Sequence, residues 1–410
     1  MRDTLGVERR MPVAAAGDAL TIDRNYLTDT LVRLARVPTD VPLGYETLME
    51  PDDPKLVHYV QQVIRPELVR LGIYDLIDVG NNLLVRAGEG RSGKSLLLMN
   101  YTPAQHHNLM EDPFSGAVAN AGAYGCDEPA VFGQGVSQCK AHQAVMLAVL
   151  KALQERGTPL RGRLWWAVNN EGRSSHACSD ALLDAIAARE SLPQFGIIQI
   201  DSGGAITLGN RGRVDVDVHI RGKVAHSSSP QEGLNVIEAV ADVVHRVRRL
   251  TWPDTHPLLG GRHAVVYKVR YEPVAPHTLP SDAWLAIDRR LLPGDDLAAA
   301  VDEVRSAIGD LSPFEVTVRQ GVAMLPALVA EADPGVLALV AAHERIVGEQ
   351  PQRVYLGGSF DAGGPCARGV PTVMYGVGGG VGLTGVDFVP IARVETEARV
   401  LADVIVRELG

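Results

Sequence analysis

Paired cysteines, a basic surplus and long apolar runs are all missing from this 410-residue chain. Its four cysteines, Cys126, Cys139, Cys178 and Cys366, form no Cys-x-x-Cys pair. That removes a structural zinc ribbon or a thioredoxin-type motif from consideration, and scattered thiols suit a reducing compartment. The formal charge of −10 argues against a nucleic-acid partner, whose phosphates demand basic surface. A small anionic ligand stays open, because one placed arginine overrides net charge locally. No apolar run approaches the ~20 residues of a membrane span, so no membrane association is expected. The first residues, MRDTLGVERRMPVAAAGDAL, hold only Val13–Ala16 as an apolar part, short of a secretory h-region. The cytoplasm is the expected location. Neither an internal repeat nor a low-complexity linker is visible.

What is present reads as a globular α/β chain too long for one comfortable core. Apolar spacing predicts helices over 25–37 and 55–72, the second kinked or broken at Pro66. Short apolar runs at 82–87, 95–101, 163–169 and 196–201 predict buried strands, with helices at 141–156 and 178–190 between them. That alternation argues for an α/β sandwich around a mostly parallel sheet. From Gly212 the texture changes. RVDVDVHIRG alternates strictly, as a half-exposed antiparallel strand does, and a helix (235–250), two strands (264–272, 283–290) and a second helix (296–309) follow. This order predicts a small inserted α+β domain before α/β texture returns near residue 325.

One short motif asks to be tested. Gly88, Gly93, Lys94 and Ser95 fit G-x-x-x-x-G-K-[ST], the phosphate-cradling loop. The chemistry needs a helix opening at Lys-Ser, so that N–H groups face the phosphates. Here SLLLMNY (95–101) reads as a strand, so the segment is expected to be a Gly-rich turn between NLLVRA and SLLLMNY, paired as antiparallel strands.

Several stretches taken together resemble the co-catalytic zinc amidohydrolases and peptidases that include aminoacylase, carboxypeptidase G and succinyl-diaminopimelate desuccinylase. They are SLLLMNYTPAQ, DPFSG (112–116), FGQGVSQCKAHQAVMLAVLKAL (132–153), NNEGRSS (169–175), IDSGGAITLGNRG (200–212), RGKVAHSSSPQEGLNVIEAV (221–240), LAIDRRLLPG (285–294) and GGSFDAGGPCARGVPTVMYGVGG (357–379). They stand in the family's order. The resemblance implies a three-layer zinc-peptidase-like catalytic domain, 1–211 plus 325–410. It also implies a ferredoxin-like lid or dimerisation domain, 212–324, and a homodimer through that lid.

The family's metal ligands are mostly replaced. Its G-H-x-D places fall on Tyr101 and Pro103, its bridging Asp on Gln138, and its E-E pair on Asn169 and Asn170. A one-residue slip would let Glu171 serve as one carboxylate. Asp201 is retained, and the last His ligand falls near Leu383. Two zinc ions repel strongly and need anionic or imidazole donors to hold them. The expectation is therefore no dinuclear zinc, no metal-activated water and no other cofactor. His106, His107, His142, His176, Cys139 and Cys178 are the groups from which a different metal site could be rebuilt.

The substrate grip is better kept. His226 resembles the lid histidine that reaches a neighbouring subunit's substrate as an oxyanion donor, and Arg290 resembles the arginine that clamps a substrate carboxylate. His277 stands in place of the accompanying lid Asn. Gly357, Gly358 and Ser359 resemble the Gly-rich substrate loop. With Tyr101, Glu171, Asp201, Cys139 and His176 as catalytic candidates, three readings stay open. The first is a metal-independent enzyme for acyl or amide transfer, condensation or cyclisation on an amino-acid-like or acyl-amino-acid substrate. The second is a non-catalytic binding homologue. The third is a conventional hydrolase with a misregistered metal site. Cys139 qualifies as a nucleophile only beside a group that lowers its pKa; otherwise it is a small packed residue.

Overall fold

The computed structural model describes residues 20–40, 49–104, 110–157, 159–172, 174–376, 378 and 385–410. Its larger sheet orders the strands Leu76–Val79, Asn82–Ala87, Arg163–Asn169, Ser95–Tyr101, Phe195–Gln199, Thr372–Tyr375, Ile206–Asn210 and Ala327–Leu328, and Arg353–Leu356 also pairs with Ile206–Asn210. The four strands from Arg163–Asn169 to Thr372–Tyr375 run parallel. Asn82–Ala87 runs antiparallel to its neighbours on one flank, and Ala327–Leu328 closes the other antiparallel to Ile206–Asn210.

Both faces of this sheet are covered, which is why its strands read as continuous apolar runs. In Ser95–Tyr101, Leu96 and Leu98 point into the larger core, under the helices Arg24–Ala35, Ala141–Arg156, Pro334–Val347 and Ile391–Leu409. Leu97 and Met99 point the other way, toward the helices Ala177–Ala187 and Gly363–Ala367. The consecutive pair Trp165 and Trp166 splits likewise, one ring to each side, and both are fully buried.

Helix starts follow their caps. Asp23, Asn235, Asp296 and Asp333 each accept a first-turn backbone N–H. Two expectations are corrected. NLLVRA and SLLLMNY do run in opposite directions but do not pair, because Arg163–Asn169 lies between them. The segment around Pro66 does not break. A π turn, Tyr59–Ile64, widens the ladder just before Pro66, which has no N–H to offer, and the helix resumes as Arg65–Arg70. The phosphate-loop rejection stands: Ser95 opens a strand and Lys94 pairs with Glu408 at 3.2 Å.

The second sheet is antiparallel, in the order Ala264–Glu272, Asp282–Leu291, Gly212–Arg221, Glu315–Met324. The helices Val236–Val247 and Leu297–Ile308 cover one face, burying Val214, Val216, Val218 and Ile220 against Val243 and Val304. The final strand, Glu315–Met324, completes a β-α-β-β-α-β order, one strand beyond the order read from the sequence. The chain passes between the two sheets twice, through Arg211 and through 325–326. The crossings lie side by side: a Cβ on Gly212 would stand 2.6 Å from the Met324 carbonyl oxygen.

Candidate functional site

Parallel strands end on one edge of a sheet, and the loops that leave that edge build the site. Here that edge collects Tyr101, the segment Asn169–Glu171 and Asp201, at the ends of three adjoining strands. Tyr101 and Asn169 are register partners, so Glu171 leaves the sheet two residues beyond Tyr101's level.

Glu171 is buried, and its Oε2 accepts from the Ser175 hydroxyl at 2.9 Å and the Cys178 N–H at 3.2 Å, donors that suit an ionised carboxylate. Asp361, at the head of the short helix Gly363–Ala367, is the group that sequence reasoning did not place in the site. The Tyr101 hydroxyl hydrogen-bonds its carboxylate. Burial pushes the Asp361 carboxyl up to about 7, the Glu171 charge adds to the rise, and the Tyr101 hydrogen bond works against it. Tyr101 is held well above the usual phenol value by burial first, then by the charge of Asp361. The signal for Asp361 in the sequence is faint: a lone acid two residues after Ser359 of the Gly-rich run.

The neighbouring amides have other tasks. Asn169 Oδ1 accepts from the Glu171 N–H at 2.8 Å, and its amide meets Met99 sulfur at 3.4 Å. Asn170 ties its N–H to Asn82 Oδ1 and its amide to the Asn81 carbonyl, both at 2.8 Å. Both brace strand ends, and Asn170 Oδ1 is buried with no hydrogen-bond partner among the described residues. Gln138 is half-buried in the π turn Val136–Lys140. Asp201 is exposed beyond its strand, and its Oδ1 lies 2.6 Å from where a Cβ on Gly378 would stand. Among the described residues no three His, Cys, Asp or Glu side chains converge as a metal requires, and amides and a tyrosine stand at the positions that the resemblance assigns to ligands, a donor set that a pair of zinc ions does not fit. Leu383, His106 and His107 lie outside the described residues.

Two candidates are reassigned by their surroundings. Cys139 is buried, its thiol lies 3.2 Å from the Gly135 carbonyl and 3.5 Å from that of Thr102, and burial pushes its pKa up to about 12. A thiol held protonated is no nucleophile. His176 turns away from catalysis. Its Nε2 accepts the Leu325 N–H at 2.8 Å, in the second crossing, and burial lowers its pKa to about 4. Its Nδ1, which carries the proton, is buried with no hydrogen-bond partner among the described residues.

Beneath the site lies a fully buried polar chain. His142 Nδ1 sits 2.9 and 3.0 Å from the two Glu397 oxygens, and Nε2 sits 3.1 Å from the Ser137 carbonyl. Both ring nitrogens face acceptors, so the ring is an imidazolium. Burial opposes that charge and Glu397 outweighs it, leaving the pKa raised. Gln199 donates to Glu397 at 2.8 Å and Asn100 donates to Gln199 at 3.0 Å. Ser137 N–H and Gly135 N–H both donate to Asp387, so the turn bearing Gln138 is held from two sides.

On the lid, His226 and His277 are exposed, with ring centroids 6.0 Å apart. The Ser228 N–H donates to His226 Nδ1 at 3.2 Å, which places a neutral ring's proton on Nε2, where it can be donated outward. The charges that bear on Tyr101 and Asp361, Glu171 among them, belong to the larger domain. Arg290 spends Nη2 on Asp288 at 2.8 Å, while Nε and Nη1 are buried with no hydrogen-bond partner among the described residues. Gly357 follows the strand Arg353–Leu356, with Gly358 and Ser359 next. Its carbonyl accepts from Arg211 Nε at 2.9 Å, and Arg211 in turn feels the charges of Arg290 and Asp288.

Comparison with known proteins agrees with this architecture. Residues 208–315 match the peptidase dimerisation domain. A succinyl-diaminopimelate desuccinylase of Helicobacter hepaticus is 24% identical over 260 residues, 61% of this chain and 65% of the relative. The chain thus spans just under two thirds of that relative's length. A tripeptidase from Staphylococcus aureus superposes with a TM-score of 0.71 at 17% identity, over 94% of this chain and 99% of its own. An M20 family metallo-carboxypeptidase from Sulfolobus solfataricus does so with a TM-score of 0.72 at 14% identity, over 93% and 98%. The chain carries a peptidase dimerisation domain and has the two-domain fold of the M20 peptidases, the family its sequence resembles.

Proposed function

We propose that this protein is a metal-independent enzyme acting on the amide or acyl group of an amino-acid-like or acyl-amino-acid substrate. One observation carries the reading: at the strand ends where relatives are expected to hold metals, the Tyr101 hydroxyl hydrogen-bonds Asp361 and the charge of Glu171 bears on both. Glu171, fixed by two donors, is the base. Asp361, near 7, is the acid that can give up and regain a proton at neutral pH. Tyr101 relays and orients that proton. Arg290 offers the N–H bonds of its two remaining nitrogens, Nε and Nη1, to a substrate carboxylate, beside the Gly357–Ser359 loop. His226, from a second copy's lid, donates Nε2–H to the oxygen where charge develops. No activated water is made, so transfer, condensation or cyclisation fits better than hydrolysis. The acceptor, rather than solvent, is the nucleophile.

The similarity to desuccinylases and peptidases favours a second reading, a conventional metal-dependent hydrolase whose ligands lie partly outside the described residues. Elemental analysis of the purified protein, with turnover of N-acyl amino acids before and after dialysis against a strong chelator, separates the two. The first reading expects less than stoichiometric metal and unchanged turnover, lost about 100-fold or more in Glu171→Gln. Two zinc ions per chain, or turnover abolished by chelation and restored by zinc, would refute it.

A further inference from the structure

We propose that Arg211 is a positioning residue, a latch that sets the lid against the larger domain and places the Gly-rich loop opposite Arg290. Arg211 is the single residue between the strand Ile206–Asn210 of the larger sheet and the strand Gly212–Arg221 of the lid. Its guanidinium fork spans the junction. Nε donates to the Gly357 carbonyl at 2.9 Å, in the larger domain, and Nη1 donates to the Gly261 carbonyl at 2.7 Å, in the lid hairpin Thr255–Gly261. Its own N–H is bonded to the Leu356 carbonyl at 3.1 Å. One rigid planar group therefore joins two backbone segments, one from each domain, in a fixed fork that a flexible lysine ammonium does not reproduce.

The neighbouring residues are shaped to this fork. A Cβ on Gly357 would stand 2.5 Å from Arg211 Nη2, so a side chain there would displace the fork from this position. The charge on Arg290 bears on Arg211, and burial adds to the cost of the Arg211 cation. An anion taken up by Arg290 offsets that repulsion, so ligand binding and latch closure reinforce each other. This last coupling rests on the carboxylate-clamp reading of Arg290; the latch itself does not. The second crossing is held separately, through the Leu325 N–H and His176.

The test uses the full chain with spin labels at the exposed residues Glu238, on the lid, and Glu344, on the larger domain, introduced as a non-canonical amino acid. Labelled chain is diluted in unlabelled protein, and the inter-label distance is measured by pulsed electron resonance. The native sequence should give one narrow distance distribution. Arg211→Gln and Gly357→Ala should each about double its width while both domains stay folded by circular dichroism, and their combination should add little. Arg211→Lys should fall between. Adding succinate should narrow the native distribution further and leave that of Arg211→Gln broad. Unchanged widths in both single variants would overturn the latch, as would unfolding of Arg211→Lys, which would make Arg211 a core residue. Broadening by the variants with no response to succinate would refute only the coupling.

Discussion

The protonation of Asp361 offers a test that needs no substrate. The carboxyl lies at about 7 in the folded chain against 3.8 for an ordinary aspartate, with burial the main cause. A group whose folded pKa is raised binds its proton more tightly when folded. As an acid, it leaves stability untouched below its unfolded pKa and costs stability progressively as pH rises from about 4 to about 7. Each tenfold in proton affinity is worth ~1.4 kcal/mol, so the full cost approaches roughly 4 kcal/mol above neutrality, and roughly 2–3 kcal/mol once solvent access to this half-buried group is allowed for. Asp361→Asn removes the titration and keeps an acceptor for Tyr101. Urea unfolding of both proteins at pH 4.5, 6 and 8 should show the variant gaining on the native chain by about 2–3 kcal/mol across that range. His176 and Asp387 titrate in the same window, but they are common to both proteins and cancel in the difference. If the two stability curves run parallel from pH 4.5 to 8, Asp361 is an ordinary ionised carboxylate, and its assignment as acid falls with it.

Two other outcomes follow from the core. His142→Gln and Glu397→Gln should each destabilise the fold by about 3–5 kcal/mol, because each leaves a buried charge without its counter-charge, and the double variant should cost much less than their sum. Thermal denaturation of the three proteins reads this directly. Cys139 should resist iodoacetamide at pH 8 in the native chain, as followed by peptide mass spectrometry, and Cys139→Ala should keep turnover within about threefold, since a thiol at about 12 is not available as a nucleophile.

Much of the fold was legible because burial leaves a periodic trace. The runs at 95–101 and 163–169 are apolar on both faces because helices cover both, and the alternation from Gly212 marks a sheet with one open face. The order of neighbours was not legible. Nothing in NLLVRA or SLLLMNY says that a strand some sixty residues later inserts between them, because pairing is decided by packing over the whole sheet. The same limit governed the site. Tyr101, Glu171 and Asp201 could be proposed because the resemblance puts ligand positions at or beside them. Asp361 reaches Tyr101 from the far end of the chain, and only the folded sheet brings them together.

Residue chemistry along the chain determined which donors stand at the expected metal positions: amides, a phenol and a proline in place of imidazoles and carboxylates. That is a property of side-chain identity and needs no coordinates. Tertiary structure alone decided the electrical state of those that remain. Asp361 lies near neutrality, Cys139 is held as a thiol and His142 as an imidazolium, because desolvation and close partners, not residue type, set the energy of a buried charge.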